Sequence, residues 1–285
     1  MNDVVPPLAG PILDHVVVNV MDGLDGAFRT YEQLGFLLTP RGYHSLGSVN
    51  HLAVFETDYL ELLGYEAGKQ GNRAELWRHP PGLTGLVFKG DHLDARHADL
   101  QARGVYVDPP NEFTRPVALP EGSRDAHFRV MRTAPQDVQN GRTFFCHHVT
   151  PELVWRPAWR AHPNRATAIT EFIIATQDPA RTSAIYQRMF GPSLLRPVTG
   201  GVAFSAGVPT VSILTPEAIA ARFGLVPELG PDGSDHMVAL VFKTAAPEVT
   251  RAVLTGNEVP FVNYADGIVV APADAAGVIA AFVPA

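Results

Sequence analysis

Leu13-Asp14-His15-Val16-Val17-Val18-Asn19-Val20 opens the stretch that decides the fold, and Tyr59-Leu60-Glu61-Leu62-Leu63-Gly64-Tyr65 closes it. The opening run carries Val16, Val17, Val18 and Val20, β-branched residues that suit a pleated, half-buried strand. Strand alternation puts His15, Val17 and Asn19 on one face and Asp14, Val16 and Val18 on the other. Next, Leu24, Phe28, Tyr31 and Leu34 recur at helical spacing, and Gly35 is the stop. Residues 36–39 read as a second strand and residues 41–48 as a loop. Residues 49–57 and 58–65 read as a hairpin across a very short turn. The stretch is therefore β-α-β-β-β, with a histidine on its first strand and a glutamate on its last.

The same order recurs outward from it. A second unit has a strand at 85–89, a helix at 91–104 with Leu93, His97 and Leu100 on one face, and a strand at 105–107 ended by Pro109-Pro110. Strands at 126–132 and 143–149 complete it. In 126–132, alternation separates His127, Arg129 and Met131 from Phe128, Val130 and Arg132, so at most one of Arg129 and Arg132 faces a cleft. Residues 151–164, with Trp155, Trp159 and three prolines, read as a crossover linker. A third unit runs from a strand at 168–176 through a helix capped by Asp178 with Pro179 at its first position. A fourth starts at 236–242, where Leu240-Val241-Phe242-Lys243 echoes Leu86-Val87-Phe88-Lys89.

The totals exclude several classes. The chain has 285 residues, 46% hydrophobic and 18% charged, which fits a packed protein rather than a disordered one. A net charge of -7 without a basic run argues against nucleic acid as a partner. The single cysteine, Cys146, rules out an intrachain disulfide and a cysteine-based zinc cluster. No apolar run approaches the roughly 18 residues of a membrane span, and Met1 to Pro7 has no basic leader pattern. A cytoplasmic protein, free of membrane, is the expectation.

The pattern resembles the vicinal oxygen chelate superfamily, and within it the glyoxalase-like domains. The resemblance rests on Leu13-Asp14-His15-Val16-Val17, Leu34-Gly35-Phe36, Arg41-Gly42, Leu46-Gly47-Ser48-Val49-Asn50 and Tyr59-Leu60-Glu61-Leu62-Leu63. Phe144-Phe145-Cys146-His147-His148 and Thr150-Pro151-Glu152-Leu153-Val154-Trp155 look like the close of such a domain. It implies an α+β fold of paired βαβββ modules, four in this chain. The expected layout is an N-terminal arm at 1–11, a glyoxalase-like domain at 12–157, a linker at 158–166 and a second, divergent glyoxalase-like domain at 167–285.

The resemblance also implies a divalent metal held from the first and last strands of a module. Carried over, His15 and Glu61 are ligands, and the second module adds His148, with His147 as the alternative. Its first strand offers only Leu86, Val87 and Phe88 where another ligand would stand. Imidazole and carboxylate suit Fe, Mn, Zn or Ni. Glu61 is the expected catalytic group, while Asn50, His51 and Arg129 are candidates for binding substrate. Asn50 could equally cap a hairpin. His44 is a loop residue that could supply an acid or base, and Cys146 reads as a small buried hydrophobe. In the second half Glu171 takes the place of His15, and neither Val211-Ser212-Ile213 nor Ile279-Ala280-Ala281 holds a carboxylate. That half is expected to be structural or to complete an interface, which leaves a homodimer open.

Two functions follow. One is a metal-dependent lyase, isomerase or dioxygenase acting on a small oxygen-rich molecule in the N-terminal cleft. The other is a non-catalytic small-molecule binding protein of the same fold.

Overall fold

The computed structural model describes residues 10–120 and 122–285. The expected N-terminal arm falls mostly on residues 1–9, outside the described residues. Valine-rich β1 (Leu13–Met21) leads through α1 (Leu24–Gln33) to β2 (Gly42–Tyr43), β3 (Val49–Val54) and β4 (Tyr59–Gly64). A short α2 (Ala74–Trp77) precedes β5 (Gly82–Lys89), α3 (Leu93–Ala102), β6 (Asn111–Leu119), β7 (Gly122–Arg132) and β8 (Arg142–His148). The second half repeats the order: β9 (Ala166–Ala175), α4 (Pro179–Phe190), β10 (Arg196–Val198), β11 (Gly201–Ser205), β12 (Thr210–Leu214) and α5 (Pro216–Phe223). It ends with β13 (His236–Thr244), α6 (Pro247–Gly256), β14 (Val262–Tyr264), β15 (Gly267–Val270) and β16 (Ile279–Pro284).

Each half is one eight-stranded sheet. The orders are β2-β3-β4-β1-β5-β8-β7-β6 and β10-β11-β12-β9-β13-β16-β15-β14. In both, the first and last strands of each module pair in parallel, and the two modules meet through an antiparallel pair at the centre. This is the paired-module α+β architecture that the β-α-β-β-β reading implied.

Alternation along β1 sorts the core. Val16 and Val18 join an apolar cluster shared by both sheets, while Val17 faces a separate cluster on the other side of the first sheet. The shared cluster welds the halves through aromatics: Phe36 meets Phe242 and Phe282, and Phe88 meets Tyr186, Phe190 and Phe204. At the junction Gly35 has φ +84°, and an added Cβ would lie 2.6 Å from Val253. Its carbonyl accepts the Asn164 backbone N–H at 3.0 Å, and the Asn164 side chain donates to Leu34 O.

Four local expectations are corrected. Residues 36–39 form no strand; Pro40 cannot donate to a ladder, and pairing resumes at Gly42–Tyr43, where a loop was expected. Residues 105–107 supply only the bridge Val107–Thr133. The strand of that region is β6, hidden in the sequence by Pro116 and by polar alternation, both tolerated because β6 is an edge strand. Finally, Asp14 does not face away from His15. Leu13 pairs with Phe88 and His15 with Val87, so Asp14 is an extra residue in the ladder, a β-bulge that turns its side chain towards that of His15.

Candidate active site

The first sheet encloses a cavity of about 40 Å³ on the side that Val17 faces. A single water needs roughly 10–15 Å³ by the same measure, so the space suits an ion with a few waters or a small molecule. β1 contributes His15, β4 contributes Glu61 and Tyr59, β3 contributes Asn50 and Leu52, and the loop before β3 contributes His44. Parity explains the selection: Asn50 and Leu52 point in, and the intervening His51 points out.

Glu61 sits at the centre. Asn50 Nδ2 donates to Glu61 Oε1 at 2.6 Å. His15 Nε2 lies 3.8 Å from Glu61 Oε2, and His44 Nε2 lies 3.7 Å from Oε1. Both separations are too long for hydrogen bonds. Burial alone would raise the Glu61 carboxyl, but the His44 and His15 rings and the Asn50 amide hold it below its usual value. Burial pushes His44 down to about 3, with Glu61 opposing and Arg115 and Arg73 adding to the fall, so its ring is neutral.

Each imidazole is oriented from behind. Asp14 Oδ1 accepts from His15 Nδ1 at 2.6 Å and from His148 Nε2 at 3.0 Å. Burial would raise Asp14, but His148 and His15 keep it well below the ordinary carboxylate range, hence ionised and an acceptor only. His15 therefore donates through Nδ1 to Asp14 and turns Nε2 towards Glu61. Asn50 Nδ2 also donates to His44 Nε2 at 3.3 Å, which places the His44 proton on Nδ1, where it meets Ser48 Oγ at 2.8 Å. Carboxylate and hydroxyl partners of this kind commonly fix the tautomer of metal-binding imidazoles.

The residues singled out in the sequence separate into two groups. His15, Glu61 and Asn50 come together in the cavity. His148 reaches the same region but binds Asp14, on the Nδ1 side of His15, and packs on Trp155 at 4.4 Å. His15, Glu61 and His148 therefore do not converge on one point. His147 faces the opposite side, 3.8 Å from Asp91. His51 is turned towards α1, with Nδ1 on Thr39 O and its ring 4.5 Å from Phe28. Arg129 is also outside, paired with Asp94 and Glu112, and Arg132 is the β7 arginine that faces in. Sequence reasoning left His44 in a loop and missed Arg73, Arg115 and Arg142, which also line the cavity. Alternation from Cys146 back along β8 would have pointed Arg142 inward. Arg115 lies on the unassigned β6.

Two donor sets test the fit of a metal. Asp14, His15, Cys146 and His148 bring ligand atoms within 4.8 Å of one another, a spacing that could hold an ion. There, however, Asp14 is already satisfied by two hydrogen bonds, and burial pushes the Cys146 thiol well up. The second set, His15 Nε2, His44 Nε2 and the two Glu61 oxygens, opens on the cavity, with Asn50 Nδ2 donating to both His44 Nε2 and Glu61 Oε1. Two imidazoles and a carboxylate are a familiar donor set for divalent transition metals.

The second sheet has its own cavity, of about 750 Å³. Glu171 pairs in register with Thr210 as His15 does with Tyr59, and Ile173 with Ser212 as Val17 does with Glu61. Glu171 is neutralised there, accepting from Ser212 Oγ at 2.6 Å and from Arg222 at 2.7 Å.

A paired-module fold with a histidine- and glutamate-bearing cleft defines a vicinal oxygen chelate protein. The glyoxalase-like domain family model matches residues 13–190, more than half of the chain, and the chain belongs to that family. None of the curated proteins matches the sequence. Among solved structures, a hypothetical protein from Staphylococcus aureus is similar over 96% of this chain and 99% of its own, with TM-score 0.68 and 14% identity. A mutant of 4-hydroxymandelate synthase from Streptomyces coelicolor is similar over 97% and 93%, with TM-score 0.58 and 11% identity. A xylose isomerase-like TIM barrel/4-hydroxyphenylpyruvate dioxygenase fusion protein is similar over 90% of this chain and 40% of its own, with TM-score 0.56 and 13% identity. These identities establish a shared fold. None of the described helices is long and apolar enough to cross a membrane.

Proposed function

We propose that the chain is an enzyme acting on a small oxygen-rich molecule in the first-sheet cleft, with His15, His44 and Glu61 holding a divalent metal. One observation carries the reading: two imidazoles, each tethered through Nδ1, turn Nε2 towards opposite oxygens of one buried carboxylate at 3.7 and 3.8 Å. A synthase and a dioxygenase fusion among the proteins of like fold support an enzyme rather than a passive carrier.

When bound, such an ion acts as a Lewis acid on a substrate offering oxygen donors. The chain does the remaining work. Asn50 keeps the Glu61 carboxylate turned between the two rings. Asp14 holds His15 in the Nδ1–H form, and Ser48 does so for His44. The apolar walls, Leu52, Leu63, Phe128 and Phe144 among them, exclude water and strengthen every charge interaction inside. Glu61 is the group placed to take a proton from a carbon or hydroxyl of the bound molecule.

Metal analysis of the purified protein tests this. Bound iron, manganese, zinc or nickel near one equivalent is expected in the wild type, falling at least tenfold in His44→Ala and Glu61→Ala and little in His148→Ala. Near-zero metal in all, before and after incubation with each ion, would refute the metal reading. The second function is that of a binding protein without chemistry in the same cavity. Ligand bound and released unchanged by the metal-loaded protein would establish it.

A further inference from the structure

Four arginines line the first-sheet cavity: Arg73 at the start of α2, Arg115 on β6, Arg132 at the end of β7 and Arg142 at the start of β8. Glu61 is the one carboxylate among the lining residues, while Glu75 acts on Arg73, Arg132 and Arg142, and Asp108 on Arg132, from outside the cavity. The concentration is notable in a chain whose net charge is -7. Arg73 is engaged, to Glu75 at 3.4 Å and to Ser48 at 3.2 Å. The side chains of Arg115, Arg132 and Arg142 form no hydrogen bond or ion pair with a described residue, although Arg142 lies over the Phe144 ring at 5.5 Å, and Arg115 is only 3% exposed.

Such an arrangement is costly without a counter-charge. Guanidinium does not shed its proton to escape burial, and drawn out of bulk water it needs acceptors for its donors. Burial, with Arg73 and Arg132 adding repulsion and Glu61 opposing, pushes Arg142 down to about 9. The Asn50 Oδ1 is buried without a partner. A building plan that places three unpaired forks around 40 Å³ fits a ligand that brings the missing negative charge. Surface arginines paired in helices would not produce it, since these come from three separate strands of one curved sheet.

We propose that the cleft takes a small molecule bearing two or more anionic oxygens, recognised by Arg115, Arg132 and Arg142. The shared chemistry is that of a dicarboxylate or a phosphate ester. The proposal deepens the reading of this cleft as the reactive site, since it names the substrate class of that site, but it uses no metal. A bound cation would add to the positive charge, so anion and metal would bind with positive coupling.

The test uses EDTA-treated full-length protein at constant ionic strength, titrated with oxalate, malonate, succinate, phosphate, pyrophosphate and, as the monoanion control, acetate. Thermal shift and calorimetry give the half-saturating concentration of each. Stabilisation by the dicarboxylates alone assigns a dicarboxylate, and by phosphate or pyrophosphate alone a phosphate ester. Arg132→Gln and Arg142→Gln should each weaken the response at least tenfold, while Arg196→Gln in the second cavity leaves it unchanged. Arg115→Met should raise the Tm in anion-free buffer, because it removes an uncompensated buried charge, and it keeps the proposal testable if the other variants fold poorly. No response to any dianion, a response matched by acetate, or Arg132 and Arg142 variants that titrate like wild type would overturn the proposal. A dianion response in protein that never binds metal would leave this inference standing and remove the metal reading. Metal binding without an anion response would do the reverse.

Discussion

At the scale of single residues the first-sheet cleft is governed by which side of an imidazole faces what. His15 serves both neighbours: Nδ1 is held by Asp14, and Nε2 is offered to Glu61. Asp14→Asn keeps the size but loses the pure acceptor. With the metal bound as proposed, affinity should fall about 10- to 100-fold, the usual effect of losing such a supporting partner. Competition titration against a chromogenic chelator measures it, and an unchanged affinity would show that the His15 tautomer does not matter. His15 and Glu61 were named through the family resemblance, which puts site residues on a module's first and last strands, and Asn50 as a neighbouring candidate; all three line one cavity. His44 was not legible, because a loop residue carries no periodicity to say where it points. Asp14 was not, because a bulge suspends the alternation and leaves no mark in composition. Arg129 and Arg132 show the limit of parity alone: it separated the two without saying which faces in.

At the scale of elements, the β3–β4 hairpin carries a buried acid outside the cleft. Asp58 is 1% exposed. Burial, only partly offset by Thr57 and the Ile169 backbone, lifts its pKa to about 6. The folded protein therefore binds this proton more tightly than the unfolded chain, whose ordinary value is 3.8. The group lowers stability as pH rises from about 4 through 6, and the loss persists above. Asp58→Asn should stabilise the protein at pH 7.5 on the order of 2 kcal/mol and scarcely at all at pH 4. Urea denaturation at the two pH values checks the difference, and an equal effect at both would contradict the assignment. Most elements were readable from period and caps. The exceptions were edge pieces such as β2 and β6, which bury one side at most and tolerate Pro and polar residues.

At the scale of the whole molecule, the sheets share one apolar cluster. The expected division at 12–157 and 167–285 is best taken as a proposal about topology rather than about independent folding. A first half cut at residue 157 would expose Phe36, Phe55 and Phe88 where the second half now covers them. We expect a single calorimetric transition for the full chain, and aggregation of residues 12–157 expressed alone. Two resolved transitions would refute this. Gly35→Ala probes the same seam. The positive φ and the 2.6 Å approach to Val253 should cost about 2–4 kcal/mol, seen as a lower urea midpoint without a change in m. The fourfold module count was visible in the order of elements; the seam was not, because contacts between distant aromatics leave no pattern along the chain.

The ion pair of the second sheet has a consequence of its own. Glu171 answers to His15 in register, yet its charge is already met by Arg222 and Ser212. One copy of a doubled architecture is internally neutral, and the other is left with a surplus of cations. In a saturation scan read out by activity, the two clefts should therefore differ in kind. Charge-removing changes around Glu61 would be lost from the active pool while the protein still accumulates. Joint replacement of Glu171 and Arg222 by a neutral pair would pass with little penalty. The two clefts of one repeated architecture thus carry different charge balances, one met from within and the other not.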